Sequence, residues 1–250
     1  MTPSGTNAKA APAHGEWFAT TRWTVVLGAG ADSSPDARRA LEELCRCYWY
    51  PLYAYARRRG QGPEDAEDLV QGFFTRLIEQ HLLKGLQREG GRFRSFLLTC
   101  FNRFMNDARD HAGRIKRGGG QEVLSLDAEL AEGRYQLEPA DILDPEKIFE
   151  RRWALTILET VLARLRGELE SEGKGGLFQH LQALVVGDTG AARQKEVGAR
   201  LGLSEGAMAV TVHRLRRRYR GLLREEIAQT VSRPEEVEDE IRHLRALLCG

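Results

Sequence analysis

The chain has 250 residues, and its 37 Lys+Arg against 36 Asp+Glu give a formal charge of +1. That excludes a uniformly basic, histone-like protein, but not local basic patches cancelled by acidic stretches elsewhere. A hydrophobic share of 42% beside 29% charged residues excludes a wholly disordered chain. The four cysteines (Cys45, Cys47, Cys100, Cys249) are too few for a disulfide scaffold. They also lack the second Cys/His pair of a zinc finger, so no metal or cofactor is expected. No apolar run approaches the ~20 residues of a membrane helix. The Ala/Pro-rich start has no hydrophobic core of the secretory kind, so the expected setting is the cytoplasm without membrane insertion.

In chain order, residues 1–33 read as a flexible extension, with an apolar stretch at Glu16–Leu27 able to dock on a core. Ser34-Pro35-Asp36 opens a helix with a cap and a proline at its first position. Ala37, Leu41, Leu44, Cys45 and Tyr48 give that helix one face. Pro51 is expected to break or kink it, with a second helix running to Arg59 before Gly60. Pro63-Glu64-Asp65 starts the cleanest amphipathic helix, with Ala66, Leu69, Val70, Phe73, Phe74, Leu77 and Ile78 on one side. After a loop at 84–91, a helix carries Phe93, Phe96, Leu97, Cys100 and Phe104 on one face. Ser95, Thr99, Asn102, Asn106 and Arg109 lie on the other.

Residues 118–143 have no sustained period and read as a linker. Asp144 caps a helix with Leu158, Val161, Leu162, Leu165 and Leu169 on its apolar face, and Gly173 to Gly176 ends it. A short helix follows over 177–186. From Arg193 a short helix, Gly202 where a left-handed cap is needed, and Ser204 as the next cap form a helix-turn-helix pattern. Strand patterns are essentially missing. The expected fold is all-α, with two small helical domains, 34–117 and 144–230, joined by the linker. The tail 231–250 is acidic and amphipathic.

Basic residues concentrate in two places. The last helix of the helix-turn-helix holds Arg214, Arg216, Arg217, Arg218, Arg220 and Arg224 after a small, uncharged first turn. This suits a recognition helix: small side chains approach base edges and arginines reach the flanking phosphates. The candidate readers are Ser204, Ala207, Val210, Thr211, Arg214, Arg217 and Arg218. The second cluster, Arg88, Arg92, Arg94 and Arg109, brackets a helix showing Asn102 and Asn106, and Asn pairs bidentately with adenine. Phe93 and Phe96 at helical spacing read as core rather than as stacking platforms. Between the clusters, Asp68, Gln71, Gly72 and Thr75 form an uncharged-to-acidic helix face suited to a protein contact. No catalytic motif of the metalloprotease, nucleophile-elbow or phosphate-loop kind is present, so no enzymatic activity is expected.

Two stretches in order, Glu64-Asp65-Ala66-Glu67-Asp68-Leu69-Val70-Gln71 with Phe93-Arg94-Ser95-Phe96-Leu97, and Gln194 to Gly206, resemble bacterial sigma-70 factors of the extracytoplasmic-function (ECF) type. The first resembles region 2 and the second the region 4 helix-turn-helix. The resemblance implies a factor that binds core RNA polymerase and directs recognition of the −10 and −35 promoter elements. Asp68, Gln71, Gly72 and Thr75 would face polymerase. Arg88, Arg92, Arg94, Asn102, Asn106 and Arg109 would face the −10 element, and the helix from 204 the −35 element. Promoter DNA and core polymerase are the implied partners, with an anti-sigma factor as a further one. Gly72 departs from the family, which commonly has Glu there. A linker of roughly thirty residues stretches to about 100 Å, enough for two sites separated by two helical turns of DNA, about 70 Å. The tail is expected to cap the fold; an alternative has it fold back on the basic helix as an inhibitor. The competing function is a helix-turn-helix regulator acting without polymerase, which would leave residues 64–109 idle.

Overall fold

The computed structural model describes residues 35–79, 92–112, 128–137, 144–187, 190–231 and 233–249. Among them are nine helices and no strand: α1 (Pro35–Arg58), α2 (Pro63–Glu79), α3 (Phe93–Ala112), α4 (Ala128–Gln136), α5 (Pro145–Ser171), α6 (Gly175–Val186), α7 (Ala191–Arg200), α8 (Glu205–Ala228) and α9 (Glu236–Cys249). The expected all-α class holds. The stretch Glu16–Leu27 and the loop with Arg88 lie outside the described residues.

Two hydrophobic clusters organise the chain. The first joins α1, α2 and α3 through Tyr48, Tyr55, Phe73, Phe93, Leu97 and Phe101. Its rings meet edge-to-face, with Tyr48–Phe93 centroids at 5.2 Å and Phe73–Phe101 at 5.1 Å. The second joins α5, α6 and α8 through Val161, Leu165, Phe178, Leu181, Met208 and Val212. The long α5 serves both. Ile148, Phe149, Trp153, Ala154 and Ile157 enter the first cluster, and Val161, Leu165 and Leu169 the second. The sequence boundary at residue 144 therefore does not separate the two cores. Periodicity showed an apolar face on α5 but not which partner covers it.

Pro51 does not end α1, which runs unbroken through it to Arg58. A proline inside a helix removes one amide donor and costs roughly 3 kcal/mol. Here residues 47–56 are all buried, so packing on every side offsets that cost. Part of the expected linker is also structured. In α4, Ala131 is buried, and Glu132 accepts hydrogen bonds from the Tyr53 hydroxyl (2.6 Å) and from Arg57 Nε and Nη2 (both 2.9 Å). This helix has only a weakly amphipathic sequence; the buried Ala131, the Glu132 carboxylate, Tyr135 packed on the first cluster and Arg134 over Tyr50 secure it. Its flanks, 113–127 and 138–143, lie outside the described residues.

The helix ends follow the expected chemistry. The Asp144 carboxylate accepts from Glu146 N (3.3 Å) at the start of α5. Gly60, between α1 and α2, has φ +88°. The left-handed region is one that side chains with a Cβ adopt at a cost.

Candidate nucleic-acid interface

The helix-turn-helix forms as its residues dictate. After α7 the chain turns at Gly202, whose φ is +67°. Leu203 N closes the turn by donating to Gly198 O (2.9 Å). The Ser204 hydroxyl then accepts from Ala207 N (3.3 Å) and starts α8. An ion pair between Lys195 and Glu205 (2.8 Å) joins the two helices; it raises the Lys195 pKa and lowers that of Glu205. Met208, Val212, Leu215, Tyr219 and Leu222 bury against α5 and α6. Burial pushes the Tyr219 hydroxyl up to about 12.

The outward face carries Ala207, Val210, Arg214 and Arg217, all exposed, with Ser204 exposed beside them and Thr211 half-buried. Val210 is 51% exposed, an apolar side chain presented to solvent on that face. Arg214 and Arg217 make no ion pair among the described residues, so their charges are available. Thr211 donates its hydroxyl to Ala207 O (2.8 Å), which leaves it an acceptor.

Arg218, expected to face DNA, is exposed but already paired within the chain. It holds Glu168 of α5 through two bonds, 2.8 and 2.6 Å, and Glu225 through a third, 3.2 Å. The Arg218 hydrogen bond lowers the Glu168 pKa, and the pair raises that of Arg218. Arg216 likewise turns inward and closes the end of α6 by donating to Leu184 O (3.0 Å) and Gly187 O (2.9 Å). A basic run in the sequence thus divides between two helix faces, with different work on each.

The second basic cluster divides in the same way. Asn106 and Arg109 are exposed on the last turns of α3. They line a cleft of about 460 Å³ together with Asp65 and Asp68 of α2, Phe104 and Arg59. The cleft brings part of the expected −10 set beside part of the expected polymerase set. Asn102 is half-buried, and its carbonyl accepts from the Tyr55 hydroxyl (2.6 Å).

Arg94, expected to face the −10 element, is buried and engaged within the chain. Its side chain is 3% exposed. Arg94 Nε and Nη2 donate to Glu240 of α9 (2.7 and 3.4 Å), Nη1 pairs with Glu150, and the guanidinium lies over Trp153, 5.1 Å from the ring centroid. Burial alone would lower the Arg94 pKa, but the Glu240 and Glu150 carboxylates outweigh it and raise it. Arg92, 40% exposed, gives Glu240 a further bond of 2.8 Å. Arg88 lies outside the described residues. Phe93 is buried, as its helical spacing implies.

On α2, Asp68 is exposed and Gln71, Gly72 and Thr75 are half-buried. Gln71 donates to Glu67 (3.0 Å), and the Thr75 hydroxyl to Gln71 O (3.0 Å). Burial raises the Glu67 pKa, with Asp68 and Glu64 adding like charge. Gly72 has a packing role: a Cβ there would meet the Phe104 ring at 3.3 Å, closer than ordinary contact. The family departure at this position accompanies a close approach of α2 and α3.

The sequence reading missed Glu240 and Trp153 as partners of Arg94. One signal was available: Val237, Glu240, Ile241, Leu244 and Leu248 share one helical stripe, and a Glu within an apolar stripe needs a buried cation. The acidic tail also does not cover the reading face of α8. It touches that helix near its end, where Arg224 meets Glu238 at 2.6 Å.

Comparison with known proteins finds similarity over most of the chain. Residues 44–115, which span most of α1, α2 and α3, match sigma-70 region 2. The chain is 27% identical over 228 residues to the ECF RNA polymerase sigma factor SigE of Mycolicibacterium smegmatis, covering 87% of this chain and 77% of the relative. No solved structure matches the chain significantly. The chain is thus similar to sigma-70 region 2 over α1–α3 and, over most of its length, to an ECF sigma factor.

Proposed function

We infer that this chain binds core RNA polymerase and directs promoter recognition and transcription initiation. The observation that carries the reading is the joint presence of the region 2 match over α1–α3 and a correctly capped helix-turn-helix at α7–α8. A regulator acting without polymerase would explain α8 and leave the region 2 helices without a role.

The site assignments follow from that reading. Asp68, at the cleft, and Gln71 and Thr75 further along α2 offer polymerase a surface, with Gly72 setting the spacing to α3. Asn106 and Arg109 face the −10 element. Arg92 and Arg94 belong to the same site but are engaged by α9 in the free chain. Ser204, Ala207, Val210 and Thr211 approach base edges of the −35 element in the major groove, where Arg214 and Arg217 contact phosphate or guanine. The protein makes and breaks no bond itself; polymerase supplies the chemistry. It acts where polymerase and the chromosome are, in the cytoplasm, and an anti-sigma factor is a partner in keeping with its type.

The test is holoenzyme assembly with core polymerase from the same source. Reversing the charge in Asp68→Arg should weaken co-migration with core by at least about tenfold, since like charges brought together cost several kcal/mol. Arg214→Ala should leave assembly intact while lowering promoter affinity. Full assembly by Asp68→Arg would remove that face from the interface.

A further inference from the structure

We propose that the C-terminal helix α9 is an intramolecular latch: through Glu240 it holds Arg92 and Arg94 of the −10 site beside α5 and the end of α8, and promoter engagement requires its release. The proposal rests on the sigma-factor reading above and adds a regulatory state to it.

The first argument is chemical. Glu240 is 1% exposed and lies on the stripe by which Val237, Ile241 and Leu244 enter the first cluster. A carboxylate can be buried there only if cations meet it. Arg94 and Arg92 are those cations, so docking of α9 and capture of the two arginines are one event. His243, also on α9, approaches Glu150 at 3.4 Å, the same carboxylate that takes Arg94 Nη1. A DNA phosphate and Glu240 would present similar oxygens to the same guanidinium groups, so the two compete.

The second argument is geometric. Phe93, between the two arginines, donates its amide to Thr230 O just after α8 (3.2 Å). From Ser204 to Thr230 the chain is helical almost throughout, so the reading end of α8 lies within about 40 Å of that contact at 1.5 Å per residue. Two promoter elements two helical turns apart are separated by about 70 Å. The closed arrangement cannot place Arg92 and Arg94 on one element and Ala207 and Val210 on the other. Ile227, Ala228 and Val231, at and just after the end of α8, belong to the first cluster with α9, as do Ile148, Phe149, Trp153 and Ile157 of α5, so opening must undo those contacts as well.

The experiment uses the full chain. Glu240→Gln keeps the shape and removes the charge that competes with phosphate. It should bind a short mixed-sequence single-stranded DNA about tenfold more tightly than the natural chain without polymerase, with a salt slope steeper by about one to two. Glu238→Gln, on the exposed pair with Arg224, should change affinity less than about twofold. A folded Glu240→Gln chain with unchanged DNA affinity would overturn the proposal. Should that variant not fold, hydrogen exchange on the natural chain decides. Amides of 237–248 should lose protection by at least about tenfold when the chain enters a complex with core polymerase and promoter DNA. A transcribing complex whose α9 stays protected refutes the latch alone. A chain that forms no complex with core refutes the sigma reading, and the latch with it.

Discussion

Leu165→Ala tests whether α5 couples the two cores into one cooperative unit. Leu165 is almost fully buried in the second cluster, while Trp49 and Trp153 report from the first. The truncation removes three carbons. At about 0.8 kcal/mol per buried methylene the transfer loss is about 2.4 kcal/mol, and the residual cavity brings the total to about 3–4 kcal/mol. With a urea slope of about 2–3 kcal/mol/M, the midpoint should fall by about 1–2 M. The assay is urea unfolding in a Trp17→Phe/Trp23→Phe background, followed by tryptophan fluorescence and by far-ultraviolet circular dichroism. Because Ile157 and Val161 are neighbours on one unbroken helix, both probes should shift together. If the fluorescence midpoint stays in place while the dichroism splits into two transitions, the cores are independent and α5 does not couple them.

Gly202→Ala should destabilise the helix-turn-helix by about 1–2 kcal/mol, because the residue occupies φ +67°, and thermal melting of the variant would show it. Arg214→Ala should weaken −35 duplex binding and lower the salt slope by about one, whereas Arg218→Ala should leave the slope nearly unchanged because its charge is met by Glu168. Fluorescence anisotropy across a salt series separates the two outcomes. Stability should fall in acid. Arg57 and Arg218 hold the carboxyls of Glu132 and Glu168 below their ordinary range. Their contribution is therefore complete above about pH 4.3 and is lost as the pH falls through the lowered folded values. The Glu132→Gln variant should show a shallower acid limb than the natural chain; an identical limb would remove that pair from the account.

Local signals were legible in the sequence where the chemistry is local. The Ser204 cap, the Gly202 turn and the Asp144 cap each depend on residues within a few positions, and the structure forms all three. The amphipathic pattern that starts at Pro63 and runs through Ile78 became α2. Long-range partners were not legible. Pro51 reads as a helix breaker unless the burial around it is known. The apolar face of α5 does not reveal that it serves two clusters, and α4 has too weak a pattern to stand out from a linker. The same limit governed the candidate sites. Composition marks Arg94, Arg218 and Asn102 as polar residues on basic helices, but only the fold shows that Glu240, Glu168 and Tyr55 already engage them. Arg214, Arg217, Asn106 and Arg109 are exposed and have no such partner among the described residues.

The most direct test of the central claim is run-off transcription with purified core polymerase from the same source, on a library of upstream regions, with and without this chain. Promoter-specific transcripts that depend on the chain, and that decline with Arg214→Ala, are the predicted result. Transcription unchanged by its addition, with or without the Glu240→Gln substitution that releases the latch, would contradict the account.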